Sequence, residues 1–179
     1  MTVEGQGAGS PRREELLEAA YAYVLRRGLA DLSLRPLAKE IGSSPRVLLY
    51  LFGSKDGLVR ALLGRARAAE LTLLAGLPAG DAAGLLRALW EWLAAPAHRD
   101  LLRLWVEGYG RALVEPDGPW AGFAAATVRD WLAVLGRVLP EPAATEALAV
   151  LRGALLDLLA TGDAHRTGAA VAAHAARLA

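Results

Sequence analysis

The chain has 179 residues, 54% of them apolar, and a formal net charge of only +1. Such a length suits one domain, or one with a small companion, and such a charge excludes partner binding by bulk electrostatics, so a nucleic-acid role has to rest on locally clustered basic residues. The absence of Cys excludes disulfides and thiol chemistry, and the lack of a signal pattern or a membrane-length apolar run leads to the expectation of a soluble, cytoplasmic protein with no membrane partner.

Residues 1–10 are Gly-rich without periodicity, and a disordered tail is expected there. Ser10-Pro11 opens a first helix, with Glu14 and Glu15 in its first turn, Arg26 and Arg27 in its last and Gly28 beyond. Leu34, Leu37, Ala38 and Ile41 then fall at i, i+3, i+4 and i+7, one face of a second helix. Ser33 precedes that face as an expected side-chain cap, and Pro36 lies in its first turn. Gly42 suits the left-handed end of this helix, while Ser44-Pro45 starts a third, whose inner face is Val47, Leu48 and Leu51. A small residue at Ala38, a turn former at Gly42 and an apolar plug at Leu48 are what two short, steeply crossed helices require, the helix-turn-helix arrangement.

The flanking residues sharpen this. The segment Leu-Arg-Pro-Leu-Ala-Lys-Glu-Ile-Gly and the stretch Leu-Leu-Tyr-Leu-Phe-Gly-Ser-Lys-Asp-Gly-Leu from Leu48 to Leu58 follow a first helix ending at Gly28. From Pro11 to about Leu63 the chain resembles the DNA-binding domain of the TetR family of bacterial transcription regulators. The family's usual tyrosine aligns with Leu49, and here the tyrosine stands at Tyr50. On the third helix the candidate DNA contacts are Ser43, Ser44, Arg46, Leu49 and Tyr50; Ser33 and Arg35 are candidates at the start of the second. Arg46 fits a bidentate contact to guanine O6 and N7, or a phosphate, and both stay open, as do base edge and phosphate for Tyr50. Lys55 matches the family's phosphate-contacting lysine, beside the N–H groups that open the fourth helix.

Ser54 caps that fourth helix, which reaches about Ala75, and a loop comes next over 76–81. Further helices are expected over 82–94, 98–114, 120–139, 143–161 and 163–178. No strand pattern appears. The expected fold is all-α, with about nine helices: a tail over 1–10, a three-helix DNA-binding domain with the helix-turn-helix over 11–53, and a helical ligand-binding and dimerisation domain over 54–179.

The middle helices are rich in aromatic side chains: Trp90, Trp105, Tyr109, Trp120, Phe123 and Trp131. Ordinary core is one reading; an aromatic-lined pocket with Arg103, Glu107 and Arg111 as polar members is the other. Gly108 and Gly110 mark either a close helix approach or space for a ligand. The resemblance implies an effector here, and the aromatic lining suggests a largely apolar small molecule. In the last two helices, Ala147, Val150, Leu151, Ala154, Leu155 and Leu158 form a wide apolar face, and Ala169, Ala170, Ala173 and Ala176 permit close packing. Paired across two subunits these helices fit a four-helix homodimer interface, which the resemblance also implies.

His98, His165 and His174 lack metal-site spacing, and no nucleophile–base pair, phosphate loop or carboxylate pair stands out; no catalytic residue, metal or cofactor is expected. The expected function is a ligand-responsive DNA-binding transcriptional regulator, a repressor that binds a palindromic double-stranded DNA operator as a homodimer and is released by a largely apolar effector. The alternative is a small-molecule-binding helical protein without sequence-specific DNA binding.

Overall fold

The computed structural model describes residues 10–30, 32–77 and 80–178. Among these, every regular element is helical: α1 (Pro11–Arg27), α2 (Leu34–Glu40), α3 (Pro45–Phe52), α4 (Lys55–Ala75), α5 (Ala82–Ala94), a 3-10 turn (Pro96–His98), α6 (Arg99–Val114), α7 (Phe123–Leu135), α8 (Glu141–Thr161) and α9 (Ala164–Ala175). The tail expected over 1–10 lies outside the described residues except for Ser10, as does part of the loop over 76–81.

Local chemistry explains most helix starts. Ser10, Ser44, Ser54, Asp81 and Asp163 each accept a bond from a first-turn N–H through the side chain, satisfying a donor the helix itself leaves free. Ser33 departs from expectation: its backbone is extended, but its side chain makes no capping bond. The third helical position, where a serine cap usually finds its donor, is Pro36, which has no N–H to offer. At the other end of α2, Gly42 takes φ +65°, and the Ser43 N–H reaches back to the Ala38 carbonyl at 2.8 Å. This left-handed glycine with its back-bond terminates α2 and aims α3.

Several ends differ from the sequence reading. The expected helix over 120–139 is shortened to Phe123–Leu135, because Gly122 adopts φ +73° and cannot continue a right-handed helix. α9 stops at Ala175 and the chain leaves in tighter turn bonds, Arg177 N–H to His174 and Leu178 N–H to Ala175. α8 instead begins earlier, at Glu141, since Pro142 is tolerated in a first turn.

α1, α2, α3 and the first half of α4 enclose one end of the core, with Leu16, Val24, Leu37, Leu48, Leu58 and Leu62 all buried. α5 to α9 build the rest, α9 lying against α5 and α8 and α7 against α6 and α8. α4 belongs to both ends: it touches α1 and α3 near its start and α6 and α7 further along. Gly108 on α6 is needed for that fit, because a Cβ there would lie 2.9 Å from a Leu63 methyl and 3.1 Å from the Phe123 ring.

Candidate functional site

Three features of the described fold are candidate partner sites: the outer face of α2 and α3, a small cavity among α4 to α8, and the exposed side of α8 and α9. On the first, α3 is anchored from within by Leu48 and Phe52. Its opposite side presents Arg46, Leu49 and Tyr50 to solvent, Tyr50 with 86% of its surface exposed. A tyrosine so exposed next to an exposed leucine gains nothing from the protomer's own core. Ser33, Arg35 and Lys55 are also exposed on the same end of the molecule. Arg35, Lys39 and Arg46 face only Glu40 as an acidic counterpart within α2 and α3, and Glu40 is drawn off to Arg26 at 2.8 Å. Local positive charge therefore collects on a chain of nearly zero net charge.

The two serines behave differently from the others. The Ser44 oxygen is engaged in capping α3, although its hydroxyl proton remains free to donate. The Ser43 hydroxyl is buried and without a partner among the described residues, so it is not displayed on this face as the sequence reading expected; the back-bond that closes the turn tucks this residue inward. Behind the face, Arg13 lies over the Phe52 ring, 4.9 Å from its centroid.

The cavity lies between α4, α5, α6, α7 and α8. Trp105 and Trp131 wall it together with Leu93, Leu102, Leu148, Leu151 and Leu155, and two ionisable side chains reach it, Glu70 and Arg152. Its free volume is about 10 Å³, room for roughly one water molecule, so a larger guest has to displace side chains. Burial pushes the Glu70 carboxyl up to about 7; the hydrogen bond it accepts from the Trp131 indole N–H, 2.7 Å, works in the opposite direction. Arg152 lies over the Tyr109 ring, 5.0 Å from its centroid, and donates to the Tyr109 hydroxyl at 3.3 Å. The Trp105 indole N–H and the Arg152 Nε and Nη2 groups are buried with no partner among the described residues.

Of the side chains expected to line a pocket, the structure brings only Trp105 and Trp131 to this cavity. The helical period of α6 explains the rest of that helix. Leu102, Trp105 and Tyr109 share one stripe, whereas Arg103, Glu107 and Arg111 lie on another. Arg103 is exposed beside Asp100, Arg111 pairs with Glu115 at 2.7 Å, and Glu107 turns to the other end of the molecule to accept the Leu29 N–H at 2.9 Å. Tyr109 stacks on Trp105 from outside the lining, at 5.0 Å between centroids. Trp90 is buried against Gly168 of α9, Phe123 against Gly108, and Trp120 in the turn before α7; all three are core.

Glu70 and Arg152 were missed in the sequence, although each left a signal. Glu70 follows Leu63 and Ala66 and precedes Leu74 on the buried stripe of α4, and Arg152 sits between Leu151 and Leu155 on the buried stripe of α8. A charge at a core position of an amphipathic helix requires an internal partner or a cavity.

The apolar stripe of α8 expected at an interface is also core, with Ala147, Leu151, Leu155 and Leu158 buried inside the protomer. The exposed side of α8 carries Ala149, Gly153, Leu156 and Ala160 instead, next to exposed Ala169, Ala170, Ala173 and Ala176 of α9. Among the described residues, no group of three His, Asp or Glu side chains converges on a point, and no helix is long and apolar enough to cross a membrane.

An all-helical fold with a helix-turn-helix at one end, its second helix displayed outward and a larger helical body behind, is an arrangement in which a helix can enter the major groove of DNA. The sequence model described as bacterial regulatory proteins, tetR family, matches residues 16–62. That match covers the helix-turn-helix end of the chain, from α1 into the first part of α4. Among similar proteins, the HTH-type transcriptional regulator BetI of Stenotrophomonas maltophilia is 34% identical over 58 residues, 32% of this chain and 30% of that protein; the match thus spans less than a third of the relative's length. Similarity of shape runs much further. A crystal structure of the transcriptional regulator SCO7518 of Streptomyces coelicolor superposes with a TM-score of 0.79 at 20% identity, covering 94% of this chain and 99% of the other. The multidrug binding protein EbrR complexed with proflavin gives 0.70 at 29% identity, with the same coverage of both chains.

Proposed function

We propose that this protein is a ligand-responsive repressor which binds a near-palindromic operator as a homodimer. Residues 11–53 would serve as the reading head, and residues 54–179 as the effector and dimerisation body. The observation that carries the reading is the outward face of α3, where Arg46, Leu49 and the almost fully exposed Tyr50 stand on a helix fixed from behind by Leu48 and Phe52. Arg46 supplies a fork for a base edge or a phosphate, Ser33, Arg35 and Lys55 supply flanking phosphate contacts, and the start of α4 adds its N–H groups.

Pairing through the last two helices is supported by the exposed small side chains of α8 and α9. Gly153 faces open space within its own protomer, where a helix-interior glycine costs roughly 1 kcal/mol relative to alanine; the close approach of a second copy gives that glycine a use. Effector control is supported by α4. It starts at Lys55 on the reading side and reaches the cavity at Glu70, roughly 22 Å along a rigid axis. A guest that enters the cavity, widens it and binds the widened state better shifts the population of head positions. The likeness to EbrR, a multidrug binding protein, supports control by a small molecule.

The test is selection of bound sequences from a random DNA library by the purified chain at a fixed moderate salt concentration, with Arg46→Ala in parallel. A two-fold symmetric motif with half-sites about one helical turn apart, or a multiple, is expected. Loss of preference at one base position in the variant assigns Arg46 to base readout, and uniform weakening assigns it to phosphate. Absence of any enriched motif, with or without extracted small molecules added back, would favour a ligand-binding protein that does not read DNA.

A further inference from the structure

Taking the cavity as the effector site of the proposed repressor, we propose that it is built for an apolar carboxylic acid, whose carboxylate docks side-on against the Nε and Nη2 groups of Arg152. This guanidinium is permanently charged, and only part of its fork is engaged. Its Nη1 group donates to the Tyr109 hydroxyl, while Nε and Nη2 are buried with no partner among the described residues. Buried unpaired donors on a charged group are costly, and a native fold keeps them when something else satisfies them.

The chemistry of that edge is displayed elsewhere in the same protein. Arg67 donates through Nε and Nη2 to the two oxygens of Asp130, and Arg65 donates through the same pair to the two oxygens of Glu18. The Nε–Nη2 edge is thus filled by a carboxylate in both, in the bidentate geometry that matches guanidinium to carboxylate. Arg152, a lining residue of the cavity, carries the identical edge unfilled, with its guanidinium held over the Trp105 and Tyr109 rings, so a carboxylate that widens the cavity reaches that edge. Stacking fixes the plane of the fork before a ligand arrives.

The rest of the cavity selects the tail behind the carboxylate. Leu93, Leu102, Leu148, Leu151 and Leu155 are apolar, and the free Trp105 indole N–H is the additional donor. Among the described lining residues, no side-chain acceptor stands ready for a cationic head except Glu70, and its Oε1 is engaged by the Trp131 indole. Burial also pushes the Glu70 carboxyl up to about 7, so near neutral pH its negative charge is only partly present and the repulsion met by an incoming carboxylate is reduced.

The experiment is calorimetric titration of the full chain at neutral pH with octanoate, octanol and octylamine, which share a tail and differ in the head. Octanoate is expected to bind at least about tenfold more tightly than the other two. Arg152→Gln should erase that advantage while octanol binding stays as it was, and Arg152→Lys, which keeps charge without the fork, should restore only part of it. The comparison of heads on the unsubstituted chain stands even if Arg152→Gln fails to fold. Octanol or octylamine binding as tightly as octanoate, with Trp105→Ala weakening all three, would keep the cavity as an effector site and overturn the acid. Octanoate binding that ignores Arg152 would overturn it equally. Silence from all three probes removes the cavity as an effector site, and the acid with it.

Discussion

The Glu107 carboxylate on α6 accepts the backbone N–H of Leu29 at 2.9 Å. This bond joins the helical body to the chain just after α1, where Gly28 turns with φ +81° and a Cβ would lie only 3.2 Å from the same carboxylate oxygen. α6 also carries Leu102 and Trp105 of the cavity wall, so one helix touches both the cavity and the reading head. Removing a hydrogen bond to a charged, partly buried acceptor costs about 1.5–3 kcal/mol. Glu107→Ala should lower the stability of the full chain by that order in urea unfolding at fixed protein concentration, and Glu107→Gln, which retains an acceptor oxygen, by clearly less. Equal and negligible shifts for both would mean that the bond does not hold the head to the body.

Gly57, in the first turn of α4, should resist replacement by alanine for a reason of space. A Cβ there would sit 2.0 Å from the Phe52 carbonyl oxygen, a backbone atom that cannot rotate away. Intrinsic helix preference alone would make Gly57→Ala stabilising by up to roughly 1 kcal/mol. Forced displacement of the α3–α4 junction should win, giving a loss of about 1–3 kcal/mol and weaker DNA binding. A rise in the thermal midpoint of the variant would show that the junction is looser than the contact implies.

Stability should fall as pH rises through neutrality because of Glu70. Its carboxyl is pushed up to about 7 from the ordinary value of 4.5, chiefly by burial. Between those values the folded chain holds a proton that the unfolded chain has released, so the protonated form's contribution is complete below about 4.5 and is lost as pH passes through about 7. The shift corresponds to about 3 kcal/mol at most. Glu70→Gln keeps an acceptor for the Trp131 indole and removes the titration. Its urea midpoint should vary less with pH than that of the unsubstituted chain and exceed it in mild alkali; parallel profiles would place the pH dependence elsewhere.

Leu156 tests the proposed pairing face. It is 51% exposed in the protomer, between Gly153 and Ala160 on the outer side of α8. Leu156→Arg should leave the helical circular dichroism of the chain unchanged and convert a dimer to a monomer by light scattering. A variant that remains dimeric moves the interface off this face.

Much of the reading head was legible from the chain alone because its signals are local. The cap at Ser44, the proline at the start of α3, the left-handed Gly42 and the apolar plug Leu48 are each separated by a few residues, and backbone geometry follows from them directly. The same locality explains the miss at Ser33, where the sequence showed a cap residue but the donor it needed was a proline. In the body, helix existence could be read from apolar periodicity, while the ends of α7 and α9 could not, since turn bonds around Gly122 and His174 decide them.

An all-helical chain with a helix-turn-helix near its start is already dictated by residue order, because hydrophobic period, caps and glycine turns act over one or two helical turns. Which aromatic side chains meet at a cavity, and which charges accompany them, is settled in three dimensions alone. Trp105 and Trp131 come together from α6 and α7, Glu70 from α4 and Arg152 from α8, while Glu107, close to Trp105 in sequence, is carried to Leu29 by the turn of its helix. A residue's own helix fixes the direction its side chain takes, but what lies in that direction depends on the packing of helices far apart in the chain.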